Sequence, residues 1–203
     1  MLYTKQVPKQ IVGTEKNIDF NHSFENLQSA HHAFEQSKIR LISVNEWNHV
    51  CKNLSSTFML TDNTGHNVNR TAQIGDFIKI DIPGPGPAAG RGFDWVRIER
   101  IKAFQDSRKG FECLIMQVRP AHNPENNLLD IAHFFSDKGT SSFIVELSGK
   151  KIKASVVSRN EIPNYNTNLV VDTVRNIIVA FAAILGLSNL QWKRLVKALV
   201  IGH

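Results

Sequence analysis

Between Ile74 and Arg119 the chain alternates apolar and polar residues in three runs, broken by one Pro/Gly-rich insert, and this period of two demands extended backbone. In the first run, Phe77 to Ile82, the residues Ile78, Ile80 and Ile82 share one face while Lys79 and Asp81 take the other. That is the pattern of a strand with one face toward water. The second run, Phe93 to Ile101, alternates imperfectly, with Phe93, Trp95, Arg97, Glu99 and Ile101 on one side and Asp94, Val96, Ile98 and Arg100 on the other. Trp95 is the side chain expected to close one end of the core. The third run, Phe111 to Arg119, is more apolar, as a central strand is. Gly75, just before the first run, suits a tight entry turn with positive φ.

The flanking segments supply further strands and helices. Thr57 to Thr61 reads as a strand ending in the turn Asp62-Asn63-Thr64-Gly65, and Ser142 to Leu147 with Lys151 to Val157 reads as a hairpin. His22 to Lys38 is a helical candidate with Phe24, Leu27, His31 and Phe34 on its buried stripe. Ser43-Val44-Asn45-Glu46 has the form of a capping box and starts a helix to about Leu54, burying Trp47, Val50, Cys51 and Leu54. Pro124 at a first helical position predicts a central helix over Glu125 to Asp137, on which Asp130 and His133 form a structural i,i+3 pair. In the tail, Val174, Ile177, Ile178, Phe181 and Leu185 form one stripe, Gly186 stops that helix, and Ser188-Asn189-Leu190-Gln191 caps a second.

The expected fold is therefore α+β: an antiparallel, strongly twisted sheet or small half-barrel of about five to seven strands, with N-terminal helices, one central helix and a C-terminal αα-hairpin. Residues 1–165 form the sheet domain, and residues 166–203 form a helical hairpin packed on it or mediating association. With 42% apolar and 21% charged residues, the chain can bury a core and is not globally disordered. The N-terminus lacks the apolar stretch of a secretory signal. The longest apolar run, Ile177 to Leu187, is too short to span a bilayer, so the expected home is the cytoplasm. Cys51 and Cys113 match no metal spacing and read as buried, reduced thiols.

Charge is unevenly placed. Met1 to Leu147 holds sixteen Lys/Arg and sixteen Asp/Glu, whereas Ser148 to His203 holds eight and two, so the whole net charge of +6 lies in the last part of the chain. A surplus of this kind fits an anionic partner, whether nucleic acid, an acidic protein surface or anionic lipid, or else a solvated rim. Lys150, Lys151 and Lys153 place one basic patch on the hairpin, and Lys193, Arg194 and Lys197 place another on the outer side of the last helix. That helix and the one before it resemble the helix-turn-helix family locally. Ala182 and Gly186 stand where the small residues of its turn do, and Phe181, Leu185, Leu187, Trp192 and Leu195 fill its apolar positions. The resemblance implies that the second helix reads DNA through Asn189, Gln191, Lys193 and Arg194.

The insert Pro83 to Gly92 carries three prolines and four glycines and can continue neither strand nor helix. It lacks the Gly-Lys-Ser/Thr ending of a phosphate-binding loop, so it is expected to project as a semi-rigid arm. Pro83, Gly84, Pro85, Gly86, Pro87 and Arg91, with Asp94 and Trp95 at its base, form the expected contact surface for a protein partner or a second copy of the chain. No catalytic constellation and no cofactor motif is legible, and His31 and His32 diverge by about 100° on a helix and cannot by themselves share a metal. The leading expectation is a non-catalytic interaction or assembly module. The alternative is a nucleic-acid-binding protein, and an enzyme whose site is assembled across the fold stands third.

Overall fold

The structure is a computed structural model that describes residues 6–52, 54–83, 86–126, 128–164 and 189–202. Seven strands form one antiparallel open sheet: β1 (Thr14–Ser23), β2 (Thr57–Thr61), β3 (Phe77–Asp81), β4 (Asp94–Asp106), β5 (Phe111–Pro120), β6 (Thr140–Ser148) and β7 (Lys151–Glu161). The spatial order is β1-β7-β6-β5-β4-β3-β2. Strands β2 to β7 therefore run as a meander, and β1 returns to pair with the last of them. Between β1 and β2 lie α1 (Leu27–Ile42) and the short α2 (Trp47–Cys51). A third helix, α3, covers residues 189–201. The first arm of the expected tail hairpin lies outside the described residues, as do Gly84 and Pro85.

The period-two reading places the three organising strands correctly, and the imperfect alternation of β4 has a specific cause. The β4–β5 register shifts between Ile98 and Arg100. A bulge of this kind reverses the side-chain parity, so Val96 and Ile98 face the helices before it and Ile101, opposite Met116, does so after it. Trp95, pointing the other way, is fully buried with Phe77, Ala121 and Ala132 in a small second cluster.

Three helix expectations are corrected. The segment around His22 is part of β1, paired with β7, and α1 begins only after Asn26, whose side chain accepts from the Ser29 N–H at 2.8 Å while Ser29 Oγ closes the capping box. The buried stripe is accordingly Ala30, Phe34, Ser37 and Leu41, and Leu27 is 65% exposed. Ser43 does not cap α2 through its side chain. It is the C-cap of α1, its N–H donating to Ile39 O at 3.0 Å, and residues Val44–Glu46 form a 3-10 turn before α2. The larger correction is the central helix. Residues 125–137 contain no helix among the described residues. Asn123 Oδ1 accepts from Glu125 N at 2.8 Å and Asn126 Oδ1 from Leu128 N at 2.9 Å, local turns that compete with the helical ladder at its start. The segment instead pairs as irregular extended chain, Trp95 N donating to Ala132 O at 2.7 Å and Ser136 N to Ile162 O at 2.8 Å.

One face of the sheet carries the main core. Met116, Val118, Phe143, Val145, Ala154 and Val156 pack there against Phe34 and Leu41 of α1, Trp47 of α2, and Leu195, Val196 and Leu199 of α3. Each such large side chain contributes about 1.5–3 kcal/mol by leaving water. Among the described residues no helix is long and apolar enough to cross a membrane.

Candidate functional site

Where α3 crosses the sheet, the core does not close completely. A cavity of about 80 Å³ remains, floored by Ile78, Val96, Val118 and Phe143 from four adjacent strands and roofed by Trp47 and Trp192. The aromatic rings pack on one another: Trp192 lies 5.4 Å from Phe143, edge to face, and 5.8 Å from Phe58, and Trp47 lies 5.0 Å from Phe143, the last two pairs tilted. Gln191 fixes the start of α3 over this space. Its Oε1 accepts from Ser55 Oγ at 3.1 Å and from the Ser56 N–H at 3.0 Å.

The far end of the cavity is lined by His133, Phe134, Phe135 and Glu161. Asn164 Nδ2 holds that segment by donating to Ile131 O and His133 O at 3.0 and 3.1 Å. His133 Nδ1 accepts from the Phe135 N–H at 2.9 Å, so the neutral ring carries its proton on Nε2. Burial pushes the His133 imidazole down to about 3. Burial likewise raises the Glu161 carboxyl, against the pull of Lys16 and a hydrogen bond from Ser158. Next to this end, Asp94 Oδ1 accepts from Phe134 N at 2.8 Å, and burial pushes its carboxyl up to about 7. The interior thus favours neutral forms throughout, a setting suited to holding an uncharged molecule and poorly suited to proton abstraction by a histidine.

The expected projecting arm is corrected by the structure. Gly92 N donates to Pro87 O at 3.1 Å and Phe93 N to Gly90 O at 3.1 Å, which folds residues 87–93 into a compact turn with a 3-10 segment at Ala88–Gly90. A Cβ on Gly86 would lie 2.0 Å from Gly92 O, so the turn closes that tightly only with glycine there. Gly90 is buried against Ala132 and Trp95, Asn126 Nδ2 donates to Ala89 O at 3.2 Å, and Pro83 lines the cavity rim. Pro83 and Arg91 stay exposed and Gly86 and Pro87 half-buried, whereas Asp94 and Trp95 are buried and turned away from any surface partner.

Lys150 Nζ donates to Glu25 O at 3.1 Å, Lys153 lies 3.6 Å from Asp19, and Lys151 is exposed. On α3, Asn189, Lys193, Arg194 and Lys197 are exposed, but Gln191 points inward to Ser55 and Ser56 and is not a surface reader. Asp130 is exposed and His133 buried, so the two do not form the helical pair that their spacing predicts. Glu161 and Ser141, which line the cavity, carry no local signal until the sheet brings them beside α3.

The sequence matches no protein family model and no curated protein. Among solved structures, the chain is similar to a hypothetical protein from Helicobacter pylori, with 12% identity, 91% of this chain and 86% of that chain covered, and a TM-score of 0.45. It is also similar to truncated norcoclaurine synthase from Thalictrum flavum, at 10% identity, 97% and 99% coverage and a TM-score of 0.37. A major latex-like protein from Panax ginseng stands at 8% identity, 88% and 99% coverage and a TM-score of 0.38.

Proposed function

We propose that this chain is a non-catalytic binding protein that holds a small, mainly apolar, uncharged molecule between its sheet and α3. The observation that carries the reading is the cavity under Trp192, apolar on the sheet side and edged by buried Gln191, His133 and Glu161. A few placed polar groups in an apolar enclosure orient a guest without demanding charge. At about 80 Å³ the space is smaller than the roughly 150 Å³ that admits benzene, so a ring-sized guest enters by displacing Trp192 from its place over Phe143. Titrating the folded protein with indole while monitoring heat and thermal unfolding tests this. Saturable binding that strengthens in Ile78→Ala, where the floor is lowered, is the expected result. An unchanged unfolding temperature for both proteins at saturating indole refutes it.

A second reading keeps the interaction role, with the exposed face of the Pro/Gly turn as a contact for a protein partner or a second copy. Its support is that the turn is tied through Asn126 to the segment bearing Leu128 and Leu129, which are 54% and 83% exposed. Leu129→Asp with Arg91→Glu should abolish any concentration-dependent self-association seen in sedimentation; unchanged sedimentation removes this surface.

A further inference from the structure

A pair of adjacent histidines cannot by itself hold a metal, but the fold gives one of them other company. His31 and Glu35 lie one turn apart on α1 and therefore project from the same side of the helix. Beneath them, Glu112 near the start of β5 sits in register opposite Leu147 of β6, on the sheet face that α1 covers. His31 Nε2 is 3.6 Å from Glu112 Oε1 and 3.9 Å from Glu35 Oε1. One donor atom from each of the three residues lies within 4.8 Å of the other two.

These separations are close to what a metal requires. Bonds of about 2.0–2.2 Å in a tetrahedral shell place neighbouring donor atoms about 3.3–3.5 Å apart. The two histidine–carboxylate gaps exceed that by a few tenths of an ångström, and the two carboxylates, whose donor atoms lie within 4.8 Å, must close by side-chain rotation. The donors are one imidazole nitrogen and two carboxylates, a set that suits borderline divalent ions. Contributions from two separate elements make the set a product of tertiary packing. We propose that His31, Glu35 and Glu112 form a three-donor site for a zinc-class divalent cation, with the fourth position open to solvent. The site is independent of the cavity and would clamp α1 to β5.

Lys38 is the competing occupant. Its Nζ lies 2.8 Å from Glu35 Oε1 and 5.0 Å from the Phe34 ring centre, so the metal must displace it or share the Glu35 carboxylate. Without a metal the cluster is a surface network of polar contacts among His31, Glu35, Lys38 and Glu112, an arrangement that adds little stability. The two cases are distinguishable. Cys51 and Cys113 offer no rival thiolate site, because both are buried and burial pushes their thiols up to about 11 and about 12.

The test is calorimetric titration of the tag-free full chain with Zn²⁺ near neutral pH, alongside thermal unfolding with and without the ion. Binding of one ion per chain and a raised unfolding temperature are expected, and Co²⁺ substitution should give a spectrum without thiolate charge transfer. His31→Ala and Glu112→Ala should each weaken binding at least about tenfold, while His32→Ala, adjacent in sequence but outside the cluster, should leave it unchanged. Circular dichroism establishes that the variants are folded; if His31→Ala is not, Glu35→Gln supplies the same comparison. No saturable Zn²⁺ binding, equal affinity in folded cluster variants, or an equal loss in His32→Ala overturns the proposal.

Discussion

Replacing Asp94 by asparagine should stabilise this protein, and only above mildly acidic pH. Asp94 opens β4, is 3% exposed, and has its Oδ1 engaged by the Phe134 N–H at 2.8 Å. Burial pushes the carboxyl up to about 7 from an ordinary 3.8, the single hydrogen bond pulling back only in part. Because the folded carboxyl holds its proton more tightly than the unfolded one, the folded chain binds an extra proton between those values. The associated stability is complete below the unfolded value and is lost as pH rises through the folded one. At about 1.4 kcal/mol per pH unit, the interval corresponds to about 4 kcal/mol. Asparagine keeps an acceptor for Phe134 and never ionises. Urea denaturation of wild type and Asp94→Asn across pH 4 to 8 should therefore give a difference near zero at the acid end, growing to about 2–4 kcal/mol in favour of the variant at the alkaline end. Glu146, pushed up to about 7 by burial against the pull of Lys153, and Glu161 add slopes of the same sign. The difference curve cancels them. A difference that is independent of pH refutes the claim that an ionised Asp94 is a cost to the fold.

Three further outcomes follow from named contacts. Gln191→Ala removes the acceptor of Ser55 Oγ and leaves the buried Ser56 N–H unpaired, so it should cost about 1–3 kcal/mol by denaturant unfolding and loosen α3 in hydrogen exchange. Asn160 sits at φ 55° on β7, with its Oδ1 accepting from Ile11 N and Val12 N at 2.7 and 3.1 Å and its Nδ2 donating to Lys9 O at 3.0 Å. Asn160→Ala should cost about 2–3 kcal/mol and expose residues 9–12 to limited proteolysis, whereas Asn160→Gly should cost less in backbone strain yet release the same segment. Cys51 and Cys113 should react with a disulfide reagent only at the rate of unfolding, since burial pushes both thiols far above neutral pH; prompt labelling of the native protein would contradict their burial.

Strands were legible where one face meets the core and the other meets water, because burial on one side imposes a period of two. Ile78 and Ile80 face inward and Asp81 outward as the pattern demands. Pattern reading faltered where local side-chain chemistry overrides periodicity. Leu128, Leu129, Ile131, Ala132, Phe134 and Phe135 are dense enough to suggest a helix, yet Asn123 and Asn126 bond their own following N–H groups at its intended start. The helix does not nucleate, and the apolar residues divide instead: Ala132 and Phe135 become core, whereas Leu128 and Leu129 stay in solvent. The same failure hid the cavity. His133 is a cavity residue only because the chain there is extended, Asn164 clamps it, and β7 delivers Glu161 beside it. Gln191 looked outward by its place in a helix-turn-helix pattern, and faces inward because Ser55 and Ser56 present a hydroxyl and an N–H to it across 135 or more residues of chain. His31, Glu35 and Glu112 obey the same logic: His31 and Glu35 share one helix, but Glu112 arrives through a strand whose register depends on the whole meander. Sites of this kind are set by which residues the sheet order brings together, a long-range property that no local window of sequence contains.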